Sequence, residues 1–322
     1  MVIAVKSTIE KIADDLFLIP LTPPMRGFFD FISAWLYRGS TTYLIDVGPS
    51  ACAPDLMRAL QALDVRHLDA ILLTHIHMDH AGAIGEIAEA FPQTPIICHP
   101  VAIPHLVEPS RLWEGTKKVL GPMALSYGPI KPVPENRLQA ADRFETESIK
   151  TIITPGHAAH HVSYQSEKYL FAGETGGVYI ALPENRFYLR PATPPKFFLD
   201  EALQSVDALI ACGPQMICYG HYGVHPDAVN MLRIHRRQLQ FWEELLRTKG
   251  IKFNKADRTV ECLKILLKED TLMAFFDQLP SAVQAREEYF LQNSINGYLG
   301  YLAAEGRGQV TEVSGRKSEN RS

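Results

Sequence analysis

Short apolar runs alternate with segments of helical periodicity over residues 1–220. Seven of the runs are rich in β-branched and aromatic residues and end near Gly, Pro or Asp, which predicts strands. They are DLFLIPL, TTYLIDVG, DAILLTH, TPIICHP, IKTIITPGH, KYLFAGE and QMICYGH. Between them, APDLMRALQAL and AGAIGEIAEAF place apolar residues at helical spacing. This alternation indicates a layered α/β domain, which we assign to residues 1–225.

The pattern changes after Pro226, where helical stripes replace the strand-like runs. The first stripe is Val229, Leu232, Leu239, Trp242 and Leu246, with Gly250 just past its end. Further helical patterns occupy TVECLKILLKE, TLMAFFDQL and the segment from Ser281 to about Ala304. Residues 226–304 therefore predict an all-helical domain. The polar, Gly-containing residues 305–322 predict a disordered tail.

Two Pro-rich segments, residues 100–137 and 181–198, interrupt the alternation. Neither shows strong periodicity, so both predict long loops. Their aromatic and basic residues favour walls of a functional site over poorly ordered connections. Arg111 and Trp113 in the first segment are candidates for contact with substrate. Together with the helical domain, this segment is expected to cover one side of a cleft.

Composition and charge narrow the class of protein. Hydrophobic residues make up 46% of the chain and the net charge is −4, so the chain lacks the positive field that a nucleic-acid groove needs. The five cysteines are odd in number and form no C-x-x-C pair, which is typical of a reducing compartment. Neither a signal-peptide pattern nor a membrane-length apolar run is present in the sequence. We expect a cytoplasmic protein with a small-molecule substrate and neither nucleic-acid nor membrane partners; its oligomeric state stays open.

The segment LLTHIHMDHAGAIGE concentrates four potential metal ligands directly after an apolar run. They are His75, His77, Asp79 and His80. Crowded imidazoles lose hydration when buried and repel one another when charged, and a divalent cation removes both costs. Metal binding is therefore favoured over a solvated histidine-rich turn.

Three other apolar runs also end in a possible ligand. His157 follows IKTIITPG, Glu174 follows YLFAG and His221 follows QMICYG. Because small or turn residues come next, each side chain can leave a buried strand and point into a shared cleft. The ligands together suffice for one or two ions.

The set THIHMDHAG, TPGH, FAGE and YGH resembles the metallo-β-lactamase superfamily over roughly residues 10–225. The stretches PHLVEPSRLW, TPGHAAHHVSY and RPATPPKFFLDEALQSVDAL resemble a prokaryotic glyoxalase II-like subgroup with a C-terminal helical domain. The resemblance implies a four-layer αββα sandwich, of class α/β, with metal ions at the edge of its paired sheets.

The resemblance also implies a ligand set. A first metal would be held by His75, His77 and His157, and a second by Asp79, His80 and His221. The bridging aspartate of the family is Glu174 here, and its extra methylene moves the carboxylate by about 1.5 Å. We expect two divalent ions, zinc in first place with iron or manganese as alternatives, and a weaker second site.

Three residues near the ligands are assigned further roles. Asp79 is expected to be catalytic, orienting the nucleophile and passing a proton to the leaving group. Asp46 is interpreted either as fixing an imidazole orientation or as a plain turn carboxylate. His161 is expected either to line the pocket and donate to substrate or to be a structural histidine.

The function that the resemblance implies is hydrolysis of a small ester-like bond, a thioester or a lactone, by a metal-bound hydroxide. A second hypothesis is a mononuclear iron oxidoreductase like the persulfide dioxygenases, which Glu174 keeps open. A third is a non-catalytic, metal-stabilised binding module that uses the two aromatic segments.

Overall fold

The structure is a computed structural model that describes residues 8–318, and the side chains of residues 8–305. The strands in this range are β1 (Glu10–Ala13), β2 (Leu16–Leu21), β3 (Ile32–Arg38), β4 (Thr42–Ile45), β5 (Ala70–Leu72), β6 (Ile96–Cys98), β7 (Leu138–Ala140), β8 (Lys150–Ile153), β9 (Val162–Gln165), β10 (Tyr169–Gly173), β11 (Val178–Leu182), β12 (Arg186–Arg190), β13 (Met216–Tyr219) and β14 (Val224–His225). The α-helices are α1 (Ala53–Ala62), α2 (Met78–Ala81), α3 (Ile84–Ala90), α4 (Ile103–Val107), α5 (Ser110–Leu120), α6 (Pro122–Tyr127), α7 (Leu199–Ala211), α8 (Ala228–Thr248), α9 (Arg258–Glu269) and α10 (Ser281–Ser318). All seven predicted strands and both helices predicted between them are present.

The strands form two large sheets and one hairpin. The first sheet has the order β1-β2-β3-β4-β5-β6-β7, antiparallel from β1 to β4 and parallel from β4 to β7. The second has the order β14-β13-β10-β9-β8, in which only the β10–β13 pair is parallel. Strands β11 and β12 pair separately as an antiparallel hairpin.

Alternating side chains along the central strands show how the layers stack. In β5, Leu72 faces the second sheet, whereas Ile71 joins the apolar cluster that includes α1 and α3. In β10, Phe171 faces the first sheet, whereas Leu170 joins the cluster that includes α7 and α8. Both faces of each sheet are therefore buried, which explains the near-continuous apolar runs in the sequence. The predicted four-layer αββα sandwich is confirmed.

The C-terminal helices do not form a core of their own. Trp242 of α8 and Tyr298 of α10 are fully buried in one cluster with Tyr188 of β12 and Ile217 of β13. Burial of one large apolar side chain stabilises the fold by about 1.5–3 kcal/mol, so several such residues fasten the helices to the second sheet. The helical region thus extends the outer layer of the sandwich.

Two features of the structure concern the predicted tail and the length of the helices. The sequence predicts a disordered tail over residues 305–322, whereas in the structure the helix α10 continues to Ser318. Residues 319–322 lie outside the described part of the chain. Within the described residues, each helix is too short or too polar to cross a bilayer.

The two predicted long loops contain regular structure, which corrects that expectation. Residues 100–137 include α4, α5 and α6, and residues 181–198 include β12. Pro104 and Pro122 lie in the first turns of α4 and α6. The N–H groups there have no partner within the helix, so a proline at such a position loses no hydrogen bond. In the hairpin, Glu184 and Asn185 adopt positive φ in the turn that joins β11 to β12. Proline content therefore marked helix starts here rather than irregular chain.

Candidate metal centre

The predicted ligands lie beyond the ends of four strands, at the edge where the two sheets face each other. The first motif follows β5 of the first sheet, and the remaining ligands follow β8, β10 and β13 of the second. Strands β10 and β13 are parallel and pair Gly173 with Tyr219. Because parallel strands end at the same edge, Glu174 and His221 emerge side by side.

One donor cluster comprises His75, His77, His157 and Glu174, whose ligand atoms lie within 4.8 Å of one another. The Nε2 atom of His157 is 2.9 Å from Nδ1 of His77 and 2.5 Å from Oε2 of Glu174. The same carboxylate oxygen is 3.6 Å from Nε2 of His75. The structure therefore brings together residues separated by up to about a hundred positions in the chain.

The other donor cluster comprises Asp79, His80 and His221. Oδ2 of Asp79 is 3.8 Å from Nε2 of His80 and 3.8 Å from Nε2 of His221. Oε1 of Glu174 is 3.0 Å from Nε2 of His221. Glu174 thus directs one carboxylate oxygen to each cluster, which is how the longer side chain is accommodated at this position.

Two buried imidazole nitrogens have no hydrogen-bond partner among the described residues. They are Nε2 of His75 and Nε2 of His80, one in each cluster. Leaving such an atom unsatisfied costs about 1–3 kcal/mol, so native proteins rarely do so without a ligand. Imidazole nitrogen and carboxylate oxygen are the donors that zinc and similar cations prefer. The residues present therefore fit divalent metal ions.

The protonation states differ between the clusters. Burial lowers the pKa of His75 and of His77 well below the ordinary histidine value, and neighbouring imidazoles lower both further. These two rings stay neutral and keep the lone pair that a metal needs. Burial opposes protonation of His80, but Asp79 and Asp46 raise its pKa to about 9. A cation in the second cluster must therefore displace a proton.

The Glu174 carboxyl is ionised despite its burial. Burial by itself raises its pKa, but the adjacent His157 and His221 imidazoles hold that pKa well below the ordinary value. The same pairing raises the pKa of His157, against the effect of burial. Glu174 is therefore available as an anionic donor to both clusters.

Asp46 holds one of the candidate ligands in place. Its side chain is buried, and its Oδ2 accepts hydrogen bonds from Nδ1 of His80 at 2.9 Å and from the Thr74 hydroxyl at 2.7 Å. Its Oδ1 accepts the Thr74 N–H at 2.8 Å. Because Nδ1 of His80 donates to Asp46, its Nε2 is the nitrogen directed toward Asp79, and the loss of the Nε2 proton makes it available to a metal. These contacts favour an orienting role over a plain turn carboxylate.

Backbone carbonyls orient two further imidazoles in the same way. Nδ1 of His157 donates to the carbonyl of Ala192 at 2.7 Å. Nδ1 of His221 donates to the carbonyl of Phe31 at 3.2 Å. In both cases the Nε2 atom is the one directed at the donor clusters.

His161 supports Glu174 from behind. Its Nε2 accepts the Glu174 N–H at 3.1 Å, and its Nδ1 lies 2.9 Å from the Thr154 hydroxyl. Gly173, at a φ of +54°, has no room for a Cβ because that atom would overlap the His161 ring. With the side chain buried and both ring nitrogens engaged, these contacts favour the structural of the two expectations for His161.

Arg111 and Trp113 both lie on α5. Arg111 is exposed, whereas Trp113 is half-buried with Nζ of Lys117 at 5.6 Å from its ring centre. Within the described residues, no hydrogen bond, ion pair or ring contact joins either side chain to the donor clusters. Their contact with substrate stays a prediction.

Sequence reasoning missed Tyr127 at the end of α6. Its hydroxyl is buried without a hydrogen-bond partner among the described residues. Burial raises the pKa of this phenol well above its ordinary value, and the charges of Asp79 and Glu174 raise it further. The sequence shows only an aromatic residue in a Pro-rich segment, so no local signal distinguishes it.

Comparison with known proteins agrees with the fold. The curated "Metallo-beta-lactamase fold-containing protein ST1585" of Sulfurisphaera tokodaii is 27% identical over 217 residues, which are 63% of this chain and 76% of that protein. The solved structure of ST1585 superposes with a TM-score of 0.66 at 21% identity and covers 89% of this chain and 98% of that one. The metallo-beta-lactamase family protein TTHA1429 of Thermus thermophilus superposes with a TM-score of 0.62 at 20% identity, covering 92% and 95%.

Relatives named hydroxyacylglutathione hydrolase match a shorter part of the chain. The protein of Aeromonas salmonicida is 31% identical over 147 residues, which are 44% of this chain and 45% of that protein. The chain thus spans about half the length of these relatives. The family model of the metallo-beta-lactamase superfamily matches residues 27–221, more than half of the chain and a range that contains both donor clusters. The chain belongs to the metallo-beta-lactamase superfamily.

Proposed function

We propose that this protein is a metal-dependent hydrolase of a small ester-like bond, with a thioester as the first candidate substrate and a lactone as the second. The observation that carries the proposal is the pair of adjacent donor clusters joined by the two oxygens of Glu174. Structural metal sites usually close their coordination with four ligands, whereas this site has ligands for two ions.

The ions would be held as follows: one by His75, His77 and His157, the other by Asp79, His80 and His221, with Glu174 between them. Bound metal ions supply two things to such a reaction, a lowered pKa of water and polarisation of a carbonyl. We propose zinc as the metal and two ions as the number, because the donors are imidazole and carboxylate.

The chain's own residues contribute orientation and proton transfer. Asp79 is the more accessible of the two carboxylates, with 17% of its side chain exposed against 10% for Glu174. A partly exposed carboxylate in the second donor cluster can accept a proton and return it to the leaving group. The buried imidazoles behind it, fixed by Asp46 and by backbone carbonyls, hold the surrounding geometry.

The preference for a thioester rests on the relatives named hydroxyacylglutathione hydrolase. An acyl group on glutathione is carried by the thiol, so cleavage of such a compound breaks a thioester. The match covers less than half of this chain and about half of those proteins, so the acyl group and the thiol remain part of the proposal. A net charge of −4 supports a small substrate over a nucleic acid.

The test is a panel of acyl thioesters, lactones, a β-lactam and a persulfide, assayed with protein reconstituted separately with zinc, manganese and iron. We expect hydrolysis of thioesters, and a loss of about 10²–10⁴-fold in kcat/KM for Asp79→Asn. Asp14→Asn, at a fully exposed side chain, is the matched control and should leave the rate unchanged. Oxygen consumption on the persulfide by a one-iron protein, without hydrolysis, would replace this proposal with a dioxygenase. Inactivity on the whole panel would favour a binding module.

A further inference from the structure

The helix α10 reaches the second donor cluster through one aromatic ring. The guanidinium carbon of Arg286, in the first third of α10, lies 4.1 Å from the ring centre of Phe31. The same ring stacks on the imidazole of His221, with ring centres 4.1 Å apart and an interplanar angle of 12°. Phe31 also accepts the His221 Nδ1–H through its carbonyl. A cation, an aromatic ring and a candidate metal ligand are therefore packed in succession.

Arg286 also forms hydrogen bonds with the two chain segments that contain Phe31 and His221. One guanidinium nitrogen donates to the carbonyl of Gly27, which precedes Phe31, and to the hydroxyl of Tyr222, which follows His221. Gly27 has a φ of +87°, and a Cβ there would collide with the carbonyl of Ala282 at the start of α10. The helix and the segment before β3 are thus in direct backbone contact.

Arg286 is itself held by buried charge. Its side chain is fully buried, and its Nη2 lies 2.9 Å from Oε1 of Glu287, whose other oxygen pairs with Arg190 of β12. An unpaired guanidinium would be costly at this depth, whereas a paired one has a defined position. The cation–π contact with Phe31 is therefore made by a group that has little freedom to move.

We propose that Arg286 is a positioning residue for His221, so that the C-terminal helical region sets the metal affinity of the second donor cluster. The inference rests on the proposed metal centre but not on the bond that is cleaved. The second cluster is the sensitive one, because His221 is one of its three members. Among the described residues, Phe31 and Arg286 make no ring contact, hydrogen bond or ion pair with His75, His77 or His157.

Linkage adds a reciprocal consequence. If the docking of α10 increases the affinity of the second cluster, binding of the second ion must stabilise that docking by the same factor. Amide exchange in residues 281–295 should therefore slow when the second ion binds, and not when the first one does.

The experiment compares three substitutions in the full-length protein by metal titration with calorimetry and elemental analysis. We expect Arg286→Met and Phe31→Leu to weaken the second binding step at least tenfold and to leave the first within about twofold. Arg286→Lys keeps a cation at the ring but loses the forked hydrogen bonds of the guanidinium, so it should recover only part of the affinity. The control is Leu291→Ala on the same helix, which removes a buried side chain from the cluster around Trp242 and loosens the fold without touching the stack.

Several outcomes would overturn the inference. Equal weakening of both steps, or the same behaviour in Leu291→Ala, would reduce Arg286 to a general structural role. A single bound ion in the parent protein, or unchanged affinities in all variants, would also remove it. Phe31→Leu decides the question if Arg286→Met does not fold. Because metal binding is measured without substrate, failure of the hydrolase proposal shows in the substrate panel and not here.

Discussion

The two donor clusters differ in what holds their imidazoles. In the first cluster, His75 and His77 lie on one short segment after β5 and are kept neutral by burial. In the second, the pKa of His80 is raised to about 9. The His221 imidazole stacks on the ring of Phe31, which Arg286 of α10 also contacts. The first cluster depends mainly on the sandwich, and the second depends also on the C-terminal helices.

This difference explains how one site can contain unequal halves. The donor types are similar in both clusters, but their protonation and their supporting contacts are not. Groups that contact a metal ligand from behind commonly change the metal affinity by about 10–100-fold. Differences in these contacts alone can therefore give two sites with similar ligands different affinities. We therefore expect the first cluster to bind metal more tightly than the second.

Loss of the first cluster should have the largest effect on metal binding. His157→Ala removes an imidazole whose Nε2 contacts both His77 and Glu174. We expect loss of the first metal and of the stability that it contributes, about 2.7 kcal/mol at a metal concentration a hundredfold above Kd. Calorimetry with metal analysis measures both, and His67→Ala, at an exposed side chain, is the control. Unchanged metal content in His157→Ala would remove this residue from the site.

Glu174→Gln tests whether the two clusters depend equally on this carboxylate. The amide keeps one oxygen, so it can serve only one of the two clusters that the carboxylate now contacts. We expect the second binding step to weaken by about tenfold or more and the first to weaken less, because three imidazoles remain there. Metal titration of the two proteins side by side gives the answer. Equal weakening of both steps would mean that Glu174 does not distinguish the clusters.

The pH dependence of the metal-free protein is the third prediction. A raised pKa at His80 gives stability that is fully present below pH 6.5 and is lost as pH rises toward 9, by about 3 kcal/mol at 1.36 kcal/mol per pKa unit. The lowered pKa values of His75 and His77 give stability that is lost as pH falls below 6.5. Thermal unfolding in chelator should therefore show a maximum near pH 6.5.

Asp46→Asn tests whether His80 causes the loss of stability between pH 6.5 and 9. It removes a charge that supports the raised pKa of His80, so stability should change less between pH 6.5 and 9 than in the parent. A parent protein whose stability stays constant over that range would show that His80 is neutral in the fold.

The smallest expected effect is that of Tyr127→Phe. Its hydroxyl is buried without a partner among the described residues, so removing it should not lower the free energy of unfolding and should raise it by about 1 kcal/mol. Thermal unfolding checks this. A loss of more than about 1 kcal/mol would reveal an unrecognised partner for the hydroxyl and tie α6 to the site.

Much of the fold was predictable because its signals are local. Strands buried on both faces appear as apolar runs, and each ligand follows such a run directly, so a strand end and its side chain are read together. Residues 100–137 and 181–198 were misjudged because proline favours helix starts as well as loops, and only packing shows which applies. The predicted contacts of Arg111 and Trp113 are contacts with a substrate, so they stay a prediction.

The amino-acid sequence was sufficient to predict the layered α/β class, the candidate metal ligands of the H-x-H-x-D-H segment and the strand ends that carry the other candidate ligands. These properties depend on residue type and on spacing along a few neighbouring positions. Two features are visible only in the tertiary structure. Glu174 directs one oxygen to each cluster, and Phe31 contacts both the guanidinium of Arg286 and the imidazole of His221. The hydrogen bond from His221 to Phe31 joins residues 190 positions apart, and that from Arg286 to Gly27 joins residues 259 apart. No periodicity in a sequence encodes such pairs, because they arise only when separate layers pack against one another.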